Sequence, residues 1–198
     1  MKPLRPEFIV GIGGSAGALG AYTALLDAMP STTGMAFVVV SHMLPTASSQ
    51  LASILSRHTK MPVMVTSTGM TIQRNHVYVC PPNADLLVEG DAFKVVSPRT
   101  KRNVAVDLFF GSLAEAMGAH AIGVVLSGYD GDGSEGCRQI KTKGGIVFAQ
   151  DISAEIESMP LSAQAAGCVD FVLPPDKIAE ELRNIAKRRG KGRVAVTD

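Results

Sequence analysis

The sequence predicts an α/β fold: a doubly wound, mostly parallel sheet flanked by helices, with an antiparallel hairpin excursion in its middle. Short apolar runs alternate with amphipathic helical segments in both halves of the chain, as expected of parallel strands joined by crossover helices. The run 36–40 is continuously apolar, which is typical of a strand covered on both faces. With 46% hydrophobic and 19% charged residues, the 198 residues suffice for one ordered domain with a full core. We therefore expect a single domain over 1–198, with its core at about 8–187.

The first half of the chain predicts a βαβαβ unit. Its three strands and two helices are expected, in chain order, at 8–12, 17–29, 36–40, 48–57 and 62–66. Pro30 ends the first helix, because proline cannot donate the next hydrogen bond of the helix.

The middle of the chain predicts three short strands, at 76–80, 85–89 and 92–97. Gly90-Asp91 turns the last two into a hairpin, and we expect all three strands in the antiparallel excursion. The parallel pattern then resumes with helices and strands at 106–117, 121–126, 133–143, 146–149, 161–166, 169–173 and 175–187. The basic run from Lys187 to Arg193 is expected to be a solvated, frayed tail.

Composition excludes several classes of protein. A net charge of +1 gives no reason to expect nucleic acid as a partner. No stretch reaches the ~18 apolar residues of a membrane span, and no secretory signal precedes the first strand. Cys80, Cys137 and Cys168 are odd in number and far apart, so we expect reduced thiols in a cytoplasmic protein. The four histidines are scattered, which suggests neither a metal nor any other cofactor.

A glycine-rich bend with one serine at its tip follows the first strand. Gly13, Ser15 and Gly17 match G-x-S-x-G, the pattern of a nucleophile elbow, in which a tight turn pushes the serine hydroxyl out above the sheet. The helix that follows would aim its first backbone N–H groups at the same place, where negative charge develops during acyl transfer. The simpler alternative is that Ser15 only caps that helix.

The same residues also fit a dinucleotide-binding fingerprint, through Gly11, Gly13 and Ala16. That alternative requires an acidic residue at the end of the second strand, to bind the ribose. The second strand ends instead in Ser41-His42, and histidine is the base that a serine nucleophile requires. The sequence therefore favours a hydrolase over a nucleotide-binding module.

An acid that orients the histidine is expected from a second glycine-rich turn. The strand at 121–126 ends in Ser127-Gly128-Tyr129-Asp130-Gly131-Asp132-Gly133. Because the carboxyl ends of parallel strands meet at one rim, Ser15, His42 and either Asp130 or Asp132 should share that rim. These residue types at one rim predict a Ser-His-Asp triad.

Taken together, these motifs resemble the catalytic domain of the bacterial chemotaxis protein-glutamate methylesterases, the CheB family. The resemblance runs from about Phe8 to Lys187 and includes Gly11–Gly17, Ser41-His42-Met43, 77–82, 127–133, Ala149-Gln150 and Met159-Pro160. It implies Ser15 as nucleophile, His42 as base and Asp132, not Asp130, as the acid. Backbone N–H groups near Ala16 and Tyr129 would bind the oxyanion.

The resemblance further implies removal of methyl esters from glutamate side chains of a chemoreceptor or related sensory protein, with glutamine deamidation as a second reaction. Three features depart from the family. Ala16 stands where Thr or Ser is usual, Tyr129-Asp130-Gly131-Asp132 replaces Met-Gly-x-Asp, and no receiver domain precedes the first strand, so a separate receiver protein could supply the control. Because of these departures, a catalytically degenerate signalling domain stays open as an alternative.

Overall fold

The order of elements follows the alternation that the sequence predicts. The computed structural model describes residues 5–42 and 48–192, so Met43 of the Ser41-His42-Met43 motif and Arg193 of the basic run lie outside the described residues. The strands are β1 (Ile9–Gly14), β2 (Ala36–Ser41), β3 (Val63–Val65), β4 (His76–Val79), β5 (Asp85–Glu89), β6 (Ala92–Val96), β7 (Ala121–Val125), β8 (Ile146–Gln150) and β9 (Phe171–Leu173). The helices are α1 (Leu19–Asp27), α2 (Ser48–Leu55), α3 (Ala105–Met117), α4 (Ser134–Thr142), α5 (Ser158–Ala165) and α6 (Pro175–Gly192).

Seven strands form one parallel sheet in the order β3-β4-β2-β1-β7-β8-β9. Strands β5 and β6 pair antiparallel in a separate two-stranded sheet. This arrangement confirms the predicted fold class.

Strand β4 differs from its prediction. It does not join the antiparallel excursion but inserts into the main sheet, where Ala36↔His76 and Val63↔Val77 set its parallel register with β2 and β3. Val77, Tyr78 and Val79 are buried, because a central strand is covered on both faces. Four residues are too few for an alternation pattern to distinguish a central parallel strand from a hairpin strand.

Helices cover both faces of the sheet. One core layer places α1, α2 and α6 against one face, with Leu25, Leu51 and Leu182 among its fully buried side chains. The other places α3, α4, α5 and the β5–β6 hairpin against the opposite face, with Phe109 and Phe110 at its centre. The basic run was expected to be a frayed tail. Helix α6 instead extends to Gly192, so the run is helical from Lys187 to Gly192.

The connections after β1 and β7 lead to opposite faces of the sheet, since α1 packs in one core layer and α4 in the other. β1 and β7 are neighbours, so a crevice opens between them at their carboxyl ends, where open α/β sheets bind ligands. None of the helices within the described ranges is both long and apolar enough to cross a membrane.

Candidate active site

Ser15 stands at the tip of the turn that joins β1 to α1. Its backbone N–H donates a 2.9 Å hydrogen bond to the carbonyl oxygen of Ser127, which ties the turn to the end of β7. Gly17 adopts φ +73°, a left-handed conformation that favours glycine, and lets the chain reverse into the helix. The N-cap of α1 is Ala18, and no side chain caps it, so the structure contradicts the alternative that Ser15 is only a helix cap.

The loop after β7 passes directly against Ser15. A Cβ atom at Gly128 would lie 2.9 Å from Ser15 Cβ and would collide with the sulfur of Met159. Met159 N–H in turn donates a 3.0 Å hydrogen bond to the Gly128 carbonyl oxygen. The absent side chain at Gly128 therefore brings the β7–α4 loop and the start of α5 to the edge of the cleft.

Ser127 connects three segments of the site, and sequence reasoning missed this role. Its buried hydroxyl donates a 2.9 Å hydrogen bond to the carbonyl oxygen of Ala16 and accepts one of 2.9 Å from Ile156 N–H. Its backbone N–H donates to Oε1 of the buried Gln150 at 3.0 Å. Only its place at the end of a buried strand, beside a glycine, could have signalled it.

His42 follows β2 directly and lies beside the serine turn. Gly14 pairs with Ser41, and His42 N–H donates a 3.3 Å hydrogen bond to the Gly14 carbonyl oxygen. Residues 15 and 42 thus continue two neighbouring strands, whose backbones are about 5 Å apart. In ranges 5–42 and 48–192 no hydrogen bond joins the Ser15 hydroxyl to the His42 ring, and only 7% of the His42 side chain is exposed.

Asp132 forms a hydrogen bond with Nε2 of His42, and its side chain is fully buried. The same carboxylate accepts a 3.0 Å hydrogen bond from Val106 N–H and a 2.8 Å one from Asp107 N–H, at the start of α3. Burial raises the pKa of Asp132, but these hydrogen bonds outweigh it and hold the pKa below its ordinary value. An ionised carboxylate only accepts hydrogen bonds, so Nε2 carries the ring proton and Nδ1 is the basic nitrogen.

Asp107, at the start of α3, caps α4 in turn. Its carboxylate accepts a 2.8 Å hydrogen bond from Gly136 N–H in the first turn of α4. Asp132 therefore caps α3, and Asp107 caps α4. These reciprocal contacts fix Asp132 between the two helices. Burial raises the pKa of Asp107, and the nearby negative charge of Asp132 adds to this rise.

Asp130 lies on the other side of the imidazole. Its Oδ2 is 3.9 Å from Nδ1 of His42, too far for a hydrogen bond but close enough for a charge interaction when the ring is protonated. The rim therefore brings both candidate aspartates to the ring, one buried and hydrogen-bonded, the other partly exposed.

The backbone N–H groups of Ala16 and Tyr129 flank the serine. Both residues are exposed, and among the described residues neither N–H group has a protein acceptor. The neighbouring Gly128 N–H, by contrast, already donates to Ile156 at 3.0 Å. Two unpaired donors on the two loops beside a nucleophile can bind an oxyanion.

Tyr22 lies beneath the turn, with its hydroxyl against Gly14. The side chain is 3% exposed, and no hydrogen-bond partner for the hydroxyl exists in the described part of the chain. Burial raises the pKa of the phenol, and the neighbouring Ser41 hydroxyl lies outside hydrogen-bonding geometry with it. A buried polar atom without a partner costs stability.

Replacing Tyr22 with phenylalanine is therefore expected to raise the free energy of unfolding by about 0.5–1.5 kcal/mol, since only the unpaired hydroxyl is removed. Urea denaturation measures the change. Tyr78→Phe is the matched control, because the Tyr78 hydroxyl accepts a 2.9 Å hydrogen bond from Gln73 N–H, and this variant should lose stability. A Tyr22→Phe protein that is less stable than the wild type would contradict the prediction.

The described residues of the site include neither a cluster of metal ligands nor an acidic residue at the end of β2. Over residues 5–42 and 48–192, no three His, Cys, Asp or Glu side chains come together as metal ligands would. The end of β2, where a dinucleotide site requires a carboxylate, carries His42 with its ring on Asp132.

The chain is similar to proteins of a known family. The family model described as CheB methylesterase matches residues 10–182. A Leptospira interrogans protein, provisionally named protein-glutamate methylesterase/protein-glutamine glutaminase, is 34% identical over 85% of this chain and 90% of its own length. A Rhizobium meliloti enzyme of that name, from the group 3 operon, is 34% identical over 94% of this chain, which spans 54% of the relative.

The structure agrees with the sequence comparison. The crystal structure of the Thermotoga maritima CheB methylesterase catalytic domain superposes with a TM-score of 0.83 and 27% identity, over 90% of this chain and 98% of that domain. The serine turn, the histidine after β2 and the buried aspartate all lie inside the matched range 10–182. This chain belongs to the CheB methylesterase family.

Proposed function

We propose that this chain is a serine hydrolase that removes methyl esters from glutamate side chains of a chemoreceptor or related sensory protein. The observation that carries the proposal is the hydrogen bond from the His42 ring to the buried Asp132, beside a serine held at the tip of a strand-to-helix turn. Family membership supports the hydrolase over the dinucleotide-binding alternative.

In the proposed reaction, Ser15 Oγ attacks the ester carbonyl carbon while Nδ1 of His42 takes the hydroxyl proton. Asp132 holds the ring by Nε2 and stabilises the imidazolium that forms. The N–H groups of Ala16 and Tyr129 bind the oxyanion, and one such donor is typically worth about 10²–10³ in rate.

The protonated imidazole then gives its proton to the methoxide as the bond from carbon to methoxy oxygen breaks; methanol leaves, and the acyl group stays on Ser15 Oγ. Water then loses a proton to Nδ1 and attacks the acyl carbon. The imidazolium returns that proton to Ser15 Oγ as its bond to the acyl carbon breaks, which releases the glutamate side chain and regenerates Ser15. A glutamine side chain would follow the same course with ammonia as the leaving group. This course corresponds to the two activities in the relatives' names.

The proposed partners are a methylated receptor and a separate receiver protein that controls access to the cleft. The organisation as a single catalytic domain over 1–198 stays a prediction. The three cysteines are unpaired and buried, which suits the reducing cytoplasm that we propose as the site of action.

The test combines a serine-reactive fluorophosphonate probe with a methanol-release assay on methylated receptor membranes. We expect the wild type to label at Ser15 and to release methanol, and Ser15→Ala to do neither. Affinity for NAD without labelling or turnover would instead favour the dinucleotide-binding module. Binding to receptor membranes without labelling would favour a degenerate domain, and either result would overturn the proposal.

A further inference from the structure

The His42 ring lies between two carboxylates, one at each nitrogen. Nε2 is hydrogen-bonded to Asp132, and Nδ1 faces Oδ2 of Asp130 at 3.9 Å. In the proposed mechanism Asp132 orients the His42 ring, and Asp130 has no role.

The Asp130 carboxylate is held in place. Its Oδ1 accepts a 3.0 Å hydrogen bond from Asp132 N–H, which leaves Oδ2 toward the ring. The residue adopts φ +69°, a left-handed conformation that aspartate tolerates when its side chain bonds to nearby backbone. The side chain is 32% exposed, and the hydrogen bond to Asp132 N–H restrains its rotation.

The carboxylates that the structure places at or behind the ring come from two elements. The β7–α4 loop contributes Asp130 and Asp132, and α3 contributes Asp107 behind Asp132. The β8–α5 loop places a further carboxylate, Glu155, against Gly17 of the serine turn.

On the β1 side, the ionisable group is the buried, neutral phenol of Tyr22. The sequence of residues 43–47, Met-Leu-Pro-Thr-Ala, contains no ionisable side chain. Among the described residues no lysine or arginine nitrogen comes within 4 Å of the Asp130 carboxylate, so nothing close by neutralises it.

These contacts make the effect of Asp130 depend on the protonation of Nδ1. While Nδ1 is unprotonated, the carboxylate gains nothing from it. Once Nδ1 takes the serine proton, an anion faces a cation at 3.9 Å, a distance at which opposite charges attract even through a water-like dielectric. Such a contact acts on the transition state more than on the bound ester.

We propose that Asp130 is a positioning residue that acts through His42, fixing the orientation of the ring from its Nδ1 side and stabilising the imidazolium formed during ester hydrolysis. The inference rests on the proposed function of the chain.

The test variant is Asp130→Asn, which retains the Oδ1 acceptor and tolerates the left-handed backbone but removes the charge. We expect the acid limb of the kcat/KM profile to move to lower pH by about 0.5–1 unit. We expect kcat on the alkaline plateau to fall about 3–10-fold, with KM nearly unchanged. Asp91→Asn is the control, because it removes the same charge from the exposed tip of the β5–β6 hairpin and should change neither.

A second readout does not need turnover. Imidazole NMR signals, with His42 assigned by their loss in His42→Asn, should show the same shift of the titration midpoint in Asp130→Asn. A midpoint and a pH profile that coincide with the wild type would overturn this inference, even in a fully active enzyme. Absence of labelling and methanol release in the wild type would overturn the proposed function instead.

Asp130→Gly separates charge from loop structure. Glycine tolerates φ +69° but also removes the hydrogen bond to Asp132 N–H. If only Asp130→Gly loses activity and Asp130→Asn does not, Asp130 serves the loop alone, and the proposed role is wrong.

Discussion

Replacing Ser15 with alanine is expected to lower kcat for ester hydrolysis by about 10⁴–10⁶-fold, because triad members act as a unit and Ser15 is the proposed nucleophile that forms the acyl intermediate. The residual rate would come from substrate binding and the oxyanion donors. Labelling by the fluorophosphonate probe should also disappear in this variant.

The fold should tolerate this change. The hydrogen bonds of residue 15 run through its backbone, from its N–H to the Ser127 carbonyl and from Ala18 N–H to its own carbonyl oxygen at 3.1 Å. Alanine retains both, and the serine hydroxyl forms no hydrogen bond within the described residues. The free energy of unfolding should therefore change by less than about 0.5 kcal/mol.

Ser127→Ala provides the contrast. The nucleophile stays, but the variant loses a buried hydroxyl that joins Ala16 and Ile156, and it should be destabilised by about 1–3 kcal/mol. Denaturant unfolding and steady-state kinetics on both variants separate the two roles. A Ser15→Ala enzyme within tenfold of the wild type would show that another group is the nucleophile.

The rim of the sheet was predictable because its signals are local. Ser15 and His42 directly follow apolar strands, Asp132 lies in the turn after a third, and parallel strands place their carboxyl ends together whatever their order in the sheet. Register then places His42 beside the serine turn, through Gly14↔Ser41. Sequence reasoning needed only the strands and their direction.

The choice between Asp130 and Asp132 could not come from local signals. The two residues are alike in type and stand two apart in one glycine-rich turn. They differ through contacts with distant segments: Asp132 is buried under the start of α3, 25 and 26 residues earlier in the chain. Helix-capping patterns cover only a few neighbouring residues, so a cap donated from another loop leaves no trace in the sequence.

The error at β4 has a similar cause. The connection 66–75 between β3 and β4 contains no helix, so the middle of the chain lacked the βαβ pattern that marks parallel pairing. That segment instead packs on the hairpin, where Gly69 N–H donates to Phe93 and Ile72 N–H to Asp91, both at 2.8 Å. Hydrogen bonds between segments, not periodicity, decided which strands pair.

Replacing Asp132 with asparagine is expected to damage catalysis and stability together. Asparagine offers one acceptor oxygen where the carboxylate serves His42 and two N–H groups of α3, and its NH₂ group must face a donor. With the ring tautomer no longer fixed, kcat should fall about 10²–10⁴-fold. The lost cap should reduce the free energy of unfolding at pH 7 by about 1–3 kcal/mol.

The pH dependence of that stability loss follows from the pKa of Asp132, which folding holds below the ordinary value of 3.8. A carboxyl whose pKa is lower in the folded state contributes its stability above the unfolded pKa and loses it as pH falls through the folded pKa. The gap between wild type and Asp132→Asn should therefore narrow as the pH falls below about 4. Urea unfolding at pH 7 and pH 3 measures both ends.

Asp107→Asn is the matched control for this experiment, since Asp107 also caps a helix but does not touch the imidazole. Its pKa is raised by burial, so the carboxylate form is favoured less in the folded than in the unfolded protein, and removing its charge should not produce a loss that narrows in acid. Its kcat should stay within a few-fold of the wild type. If Asp132→Asn kept full kcat while losing stability, Asp132 would be a helix cap alone, and the orienting role assigned to it would be wrong.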